Sequence, residues 1–195
     1  MRALRGLQCL CAVIASSISL TATAQEAGNK ALLGADATVL VPVGDLSKAT
    51  GLMLGPMVHF EYSVSPSLWI TGRAGYLYGL RKEVSTGVGT AKYGLSDIPI
   101  WGGVKYYFGE SFGPYVGGEL GLNILTASVD SGDSSVAGAG NATASSSETK
   151  VGLNAGGGYR AGKLDLRASV AFLDLGHAGD SMGILASVGY SFASF

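Results

Sequence analysis

From Leu32 onward, apolar and polar positions alternate in segments of nine or more residues, and after each break the alternation resumes in a segment that runs back. A period of two sustained over that length predicts β-strands with two chemically different faces. Eight such segments can be phased. In the first, one face reads Leu33, Ala35, Ala37, Val39 and Val41; in the second it reads Leu54, Pro56, Val58, Phe60, Tyr62 and Val64. The other six follow at every second residue over 68–78, 98–108, 116–124, 151–159, 164–172 and 184–192, and no charged residue occurs on this face. The opposite face carries Asp36, His59, Glu61, Arg73, Asp97, Lys105, Glu119, Asn123, Asn154, Arg160, Asp165 and Arg167, with Trp69, Trp101 and Tyr115 among them.

A soluble sandwich would turn the apolar face inward and its charges to water. Here the apolar face is continuous over eight strands, and the chain offers no second sheet or helix to cover it. Lipid covers it if the sheet closes, because a closed barrel pairs every backbone group and leaves no edge. The expected fold is therefore all-β, an eight-stranded antiparallel up-and-down transmembrane β-barrel. The breaks agree: Ser65-Pro66-Ser67, Gly109 to Gly113 and Ala161-Gly162-Lys163 are tight, whereas 42–51, 80–94, 125–150 and 173–181 are longer. Short turns on one side and long loops on the other are the asymmetry of an outer-membrane barrel, with the short turns in the periplasm. Aromatic residues then fall at two depths, Tyr62, Tyr106, Phe108, Tyr159, Tyr190 and Phe192 near the short turns and Tyr76, Tyr78 and Phe172 near the long loops. They read as interfacial girdles. About nine residues per crossing, at ~3.3 Å rise and ~40° tilt, give an apolar band of roughly 23 Å.

Composition sharpens the picture. Only 14 % of the 195 residues are charged, 47 % are hydrophobic and 31 are glycine, without the three-residue period of collagen. The first residues follow a secretory plan, with Arg2 and Arg5, an apolar stretch from Leu7 to Leu20, and Ala22-Thr23-Ala24 before Gln25. Residues 1–24 are expected to be a cleaved signal peptide and 25–195 the barrel domain. Both cysteines, Cys9 and Cys11, leave with the leader, so no disulfide or cysteine metal site is expected. Losing Arg2 and Arg5 leaves 11 basic residues against 14 acidic, with no basic run to attract nucleic acid.

The segment Gly113-Pro114-Tyr115-Val116-Gly117-Gly118-Glu119-Leu120-Gly121-Leu122, the tract Gly156-Gly157-Gly158-Tyr159 and the ending Val188-Gly189-Tyr190-Ser191-Phe192 resemble the family of small outer-membrane β-barrels that includes the OmpA transmembrane domain, OmpX and Ail. The resemblance spans nearly all of the mature chain. It implies insertion among outer-membrane lipid and lipopolysaccharide, and an ending presented to the barrel assembly machinery through the C-terminal strand. Phe195 is out of phase with Tyr190 and Phe192, so the strand is expected to end at Phe192, with 193–195 a tail. A monomer is expected, with no peptidoglycan-binding domain after the barrel.

Function is read from the inward face. The acids Asp36, Glu61, Asp97, Glu119 and Asp165, the bases Arg73, Lys105, Arg160 and Arg167, and His59 are expected to form a lumen ion-pair network, because a charge inside a barrel must pair or reach water. Eight strands leave an interior about wide enough for side chains alone, so the expected protein is a non-enzymatic structural or surface-interaction barrel with a plugged lumen. A small, low-conductance porin-like channel is the alternative, and an outer-leaflet lipid A-modifying enzyme a minor one. His59, Glu61 and Ser63 share the inward face, but that run descends away from the outer leaflet, and His177 lies in a loop. No catalytic residue, cofactor or metal is assigned. Asp130-Ser131-Gly132-Asp133 lacks the acid spacing of a calcium loop, Gly87-Val88-Gly89 opens no helix, and Asn141-Ala142-Thr143 falls in a Ser/Thr tract. The stretch 126–150, rich in Ser, Ala and Gly, is expected to be a mobile flap.

Overall fold

A computed structural model describes residues 31–86, 89–109, 112–132 and 142–195, so the expected signal peptide lies outside the described residues. Ten strand segments follow one another: β1 (Ala31–Pro42), β2 (Met53–Ser63), β3 (Leu68–Gly75), β4 (Leu77–Gly79), β5 (Lys82–Thr86), β6 (Gly89–Tyr107), β7 (Gly113–Gly132), β8 (Ala142–Ala161), β9 (Leu164–Phe172) and β10 (Met182–Ser194). β3, β4 and β5 are successive pieces of one crossing, and all three pair with β6. Eight crossings result. Each is antiparallel to the next, and β1 pairs with both β2 and β10, so the sheet is a closed barrel.

Burial alternates along every crossing in the phase the sequence dictates. In β1 the even positions from Leu32 to Leu40 are buried, while Ala35, Ala37, Val39 and Val41 are exposed; in β10 Ile184, Ala186, Val188, Tyr190 and Phe192 are exposed. An outward face of Val, Leu, Ile and aromatics is stable only against hydrocarbon. Tyr62, Tyr106, Phe108, Tyr159, Tyr190 and Phe192 are exposed toward the short-turn end and Tyr76 and Tyr78 toward the other, with Phe172 partly covered. Tyr106 and Phe108 stack edge to face, centroids 5.7 Å apart. The tight turns are built on backbone that only glycine enters easily: Gly113 (φ 101°) opens β7 and Gly162 (φ 59°) joins β8 to β9.

Three expectations need correction. The long breaks at 80–94 and 125–150 are not simple loops: β5 pairs with β6 through Lys82↔Tyr93 to Thr86↔Gly89, and β7 with β8 out to Ser131↔Ala142. Beyond the lipid-facing run, both faces of a sheet meet water, so the chain keeps strand pairing while losing the alternation that announces it. The ending 193–195 is not a free tail. Ala193 and Ser194 pair with Leu33 and Leu32 after a bulge in β10 at Phe192, and the Phe195 and Ala31 backbones exchange two hydrogen bonds of 3.0 Å. The extra residue in the bulge resets the phase, which returns Phe195 to the outward side opposite Ala31. The third correction, Asp97, belongs to the lumen.

Candidate functional site: the filled lumen

Inward side chains are arranged along the barrel in three layers. At the short-turn end, Leu32, Trp69, Tyr107 and Tyr115 form a buried aromatic floor, in which Tyr107 lies 6.1 Å from Trp69 and 5.2 Å from Tyr115, centroid to centroid. Glycine makes room for it. A Cβ at Gly158 would stand 2.4 Å from the Tyr115 hydroxyl oxygen, so only a residue without a side chain can occupy that position beside the ring.

Above the floor lie the charges. Lys105 Nζ sits between Glu61 Oε1 (2.5 Å) and Asp165 Oδ2 (2.7 Å), and Arg160 bridges the same two acids at 2.7 and 2.9 Å. The Tyr115 hydroxyl donates to Asp165 at 2.5 Å, and Lys105 Nζ stands 4.5 Å from the centre of the Tyr115 ring. Arg160 and Asp165 face each other across the Gly162 turn, so a four-residue connection supplies one pair of this square locally. The second group runs across the barrel: Arg73 donates to Asp36 Oδ2 through Nη2 (3.0 Å) and Nε (3.2 Å) and reaches Glu119 at 3.6 Å, and Arg167 holds Glu119 with two parallel bonds of 2.7 and 2.9 Å. Thr71 and Asn154 donate to the same Glu119 carboxylate, at 3.2 and 3.0 Å. Four acids thus meet four bases, each within salt-bridge distance of at least one opposite charge.

His59 completes this layer. Its Nδ1 lies 2.9 Å from Asp36 Oδ1 and its Nε2 3.3 Å from Ser191 Oγ. The acid, imidazole and hydroxyl stand in the order a serine hydrolase uses, with Ser191 in the place where the sequence pointed to Ser63. Ser63 Oγ instead donates to the Ser65 carbonyl in the turn. No signal within the sequence could join Ser191 to His59, 132 residues away; the β10–β1–β2 pairing does so. The surroundings withhold the rest of such a site. The Ser191 N–H is spent on the Lys163 carbonyl (2.8 Å), all three side chains are buried, and the adjoining cavity holds about 10 Å³, room for one water. Gly34 and Gly189 let His59 and Asp36 pack this tightly: a Cβ on either would fall within 2.5 Å of their side-chain nitrogen or oxygen atoms.

The third layer is apolar and closes the long-loop end. Leu40, Met53, Met57, Leu77, Trp101, Ala171, Leu173 and Leu185 cluster there. Leu46, from a single helical turn α1 (Leu46–Ala49) in the first long loop, packs down into them. That loop is tied by the Gly51 N–H to the Leu80 carbonyl (3.0 Å), the Leu80 N–H to the Leu52 carbonyl (2.8 Å), and Lys82 Nζ to the Ser47 carbonyl. Trp101 Nε1 donates to Asn123 Oδ1 at 2.9 Å, and Asn123 in turn donates to the Leu173 carbonyl at 2.8 Å. Asp97 belongs to this layer and not to the ion-pair network. It is fully buried, with no side-chain partner for its carboxylate, because its register on β6 sets it opposite Leu77 and Leu125 instead of a base.

The outer-membrane protein beta-barrel domain family model matches residues 9–192. The chain belongs to that family. Its place is accordingly the bacterial outer membrane, with the short turns in the periplasm and the long loops outside. The crystal structure of Ail, the attachment invasion locus protein of Yersinia pestis, shares the fold at TM-score 0.51 and 14 % identity, covering 84 % of this chain and 95 % of Ail. Neisserial surface protein A (TM-score 0.47, 16 % identity, 83 % and 97 % covered) and the N-terminal barrel domain of Pseudomonas aeruginosa OprF (0.48, 14 %, 84 % and 98 %) are also similar. No curated protein sequence matches the chain.

Proposed function

We propose that this outer-membrane barrel is a non-enzymatic surface protein: a plugged, monomeric anchor that holds a sheet outside the membrane for contact with external partners. The observation that carries the reading is the extension of β5, β6, β7 and β8 beyond the lipid-facing runs as one four-stranded sheet. β7 continues eight residues past Ile124, about 26 Å along the strand at ~3.3 Å each. Among the described residues no strand pairs with the free edges of this sheet, along β5 and along the outer half of β8. An open edge is a ready surface for an extended segment of another chain.

The filled lumen supports the same reading. Aromatic floor, paired charges and apolar cap each lie across the axis, and the cavity beside the paired charges has room for about one water, too little for a hydrated ion. The cramped setting of Ser191, His59 and Asp36 argues against catalysis. Around the barrel the expected neighbours are membrane lipid and lipopolysaccharide, and the β10 ending that pairs with β1 is the segment to be read by the assembly machinery.

The test compares the refolded, leaderless protein with a variant in which residues 127–146 are replaced by a tight turn. Planar-bilayer recordings should be silent for both. Cells displaying the parent should adhere to other surfaces or to each other, and the trimmed variant should lose that contact. Steady ion-selective openings that change with Glu119→Ala or Arg167→Ala would make the protein a channel, and altered lipid extracts from cells carrying the gene would make it an enzyme.

A further inference from the structure

Among the described residues Asp97 is the one inward acid without a base. It stands on β6 one residue beyond the lipid-facing run 98–108, at the level of the outer girdle, with 0 % exposure and no side-chain partner among the described residues, the adjoining Ile98 N–H being the polar group that reaches it. From β4 it faces Leu77 and from β7 Leu125; its inward neighbours on β6 are Leu95 and Pro99. Among the described residues no charged side chain is close enough to interact with it. Among the described residues the cationic groups of the loops above lie elsewhere: Lys82 on the Ser47 carbonyl, Lys48 on Asp45, Lys150 on Glu148 and Asp174, His177 on Asp174, and Arg81 over Gly94. A second buried polar atom without a partner, Thr50 Oγ1, lies over Gly79 in the first long loop, next to the residues Leu46 caps.

A neutral carboxyl can pack among leucines at modest cost, whereas an ionised one with a single backbone N–H and no cation beside it cannot stay there. Water must reach it, and the barrel offers one route. From below the paired charges and aromatic floor stand in the way, and the walls are paired strands, interrupted near Asp97 at Gly75-Tyr76 opposite Ile98-Pro99, where the outward Tyr76 and Ile98 face lipid. From above the loop 43–52 stands over it beside Leu173 of the loop 173–181, held by Leu46 and a few hydrogen bonds. We propose that Asp97 makes the apolar cap a proton-controlled lid, shut over the neutral carboxyl and lifted when the carboxyl ionises. The sign follows from linkage: the closed state prefers the protonated acid, so its advantage is complete at low pH and is lost as pH rises through the titration of Asp97.

Trp101, 3 % exposed within the cap, reports on it. Acrylamide quenching of Trp101 is followed in vesicles from about pH 5 to about pH 10 in a Trp69→Phe background, with heat-modifiable gel migration confirming the folded barrel at each point. The expected result is a quenching constant that climbs several-fold toward alkaline pH, and an Asp97→Asn variant protected throughout. Leu46→Ser should be quenched readily at every pH. Should Trp69→Phe fail to fold, 5-fluorotryptophan in the unsubstituted chain separates the two indoles by ¹⁹F NMR. A flat curve for the parent, or an unchanged rise in Asp97→Asn, would overturn the proposal. Neither result depends on what the external sheet contacts.

Discussion

Removing the charge of Glu119 while keeping its shape tests whether the lumen network holds the barrel together. Glu119 is 2 % exposed and accepts two bonds from Arg167, one from Thr71 and one from Asn154, with Arg73 3.6 Å away. In Glu119→Gln one oxygen becomes an NH₂ that must point at a donor, and Arg167 loses the one acid it bridges. Breaking a buried pair from one side costs about 3–5 kcal/mol, most of it the penalty of the stranded cation. Arg73 keeps its bond to Asp36, and the small cavity beside the network admits about one water, so the low end of that range is expected. The double variant Glu119→Gln/Arg167→Met removes both charges and should return to within about 1 kcal/mol of the parent. Guanidinium unfolding in vesicles, followed by tryptophan fluorescence, gives both numbers as shifts in midpoint at constant slope. A single variant that loses less than about 1 kcal/mol, or a double variant whose losses simply add, would show that water and not Arg167 satisfies Glu119, and the network would cease to be a structural element.

Other consequences can be measured on the same preparation. Val104→Arg puts a charge on the lipid face near mid-barrel and should cost about 2–4 kcal/mol in vesicle unfolding, whereas Ser146→Arg, exposed on the outer half of β8, should cost far less. Gly158→Ala drives a methyl into the Tyr115 hydroxyl and the Leu166 carbonyl, and should destabilise by about 1–3 kcal/mol in the same assay, an effect that Tyr115→Phe partly relieves. In the loop 173–181 the His177 hydrogen bond holds the Asp174 carboxyl below its usual range, so the loop's anchoring is complete above pH about 4 and fades as pH falls through the lowered value. Amide exchange at Gly176, whose N–H donates to Asp174, should speed up over that fall, and Asp174→Asn should abolish the dependence.

The barrel was legible because lipid enforces the pattern. Every outward position in the crossings must be apolar, so phase, strand count and closure follow from the chain alone, down to the side on which Trp69, Trp101 and Tyr115 sit. Where that constraint stops, the reading stops. Thr126 to Gly132 and Ala142 to Lys150 form paired strands beyond the lipid-facing runs, and a Ser/Ala/Thr sequence without contrast carries no period to detect. Phe192 and Ala193 look like consecutive alternating residues until the β1 register shows that one of them is extra. Ser191 could not be linked to His59 without the closure of the barrel, and Tyr107, the central ring of the aromatic floor, was overlooked although it falls in the inward phase between Lys105 and Tyr115.

The inward face teaches the finer lesson, since residue type there is set by depth as well as by direction. Leu40, Met53, Met57, Leu77 and Leu185 occupy inward phase as surely as Asp36 or Arg73, and all of them lie near the long-loop ends of their strands. Apolar residues at inward positions could therefore have been sorted by height and recognised as a cap. Asp97 lies at that height. Counted with the other inward charges it makes five acids against four bases; placed by depth it leaves a balanced four and four below, and one carboxyl alone among leucines above. Charge balance within a layer, more than the total over the lumen, decides which acids a barrel can keep ionised, because a base two layers away is separated from its acid by packed side chains and not by water. The excess acid was countable in the sequence, and its isolation followed from the depth of one strand register.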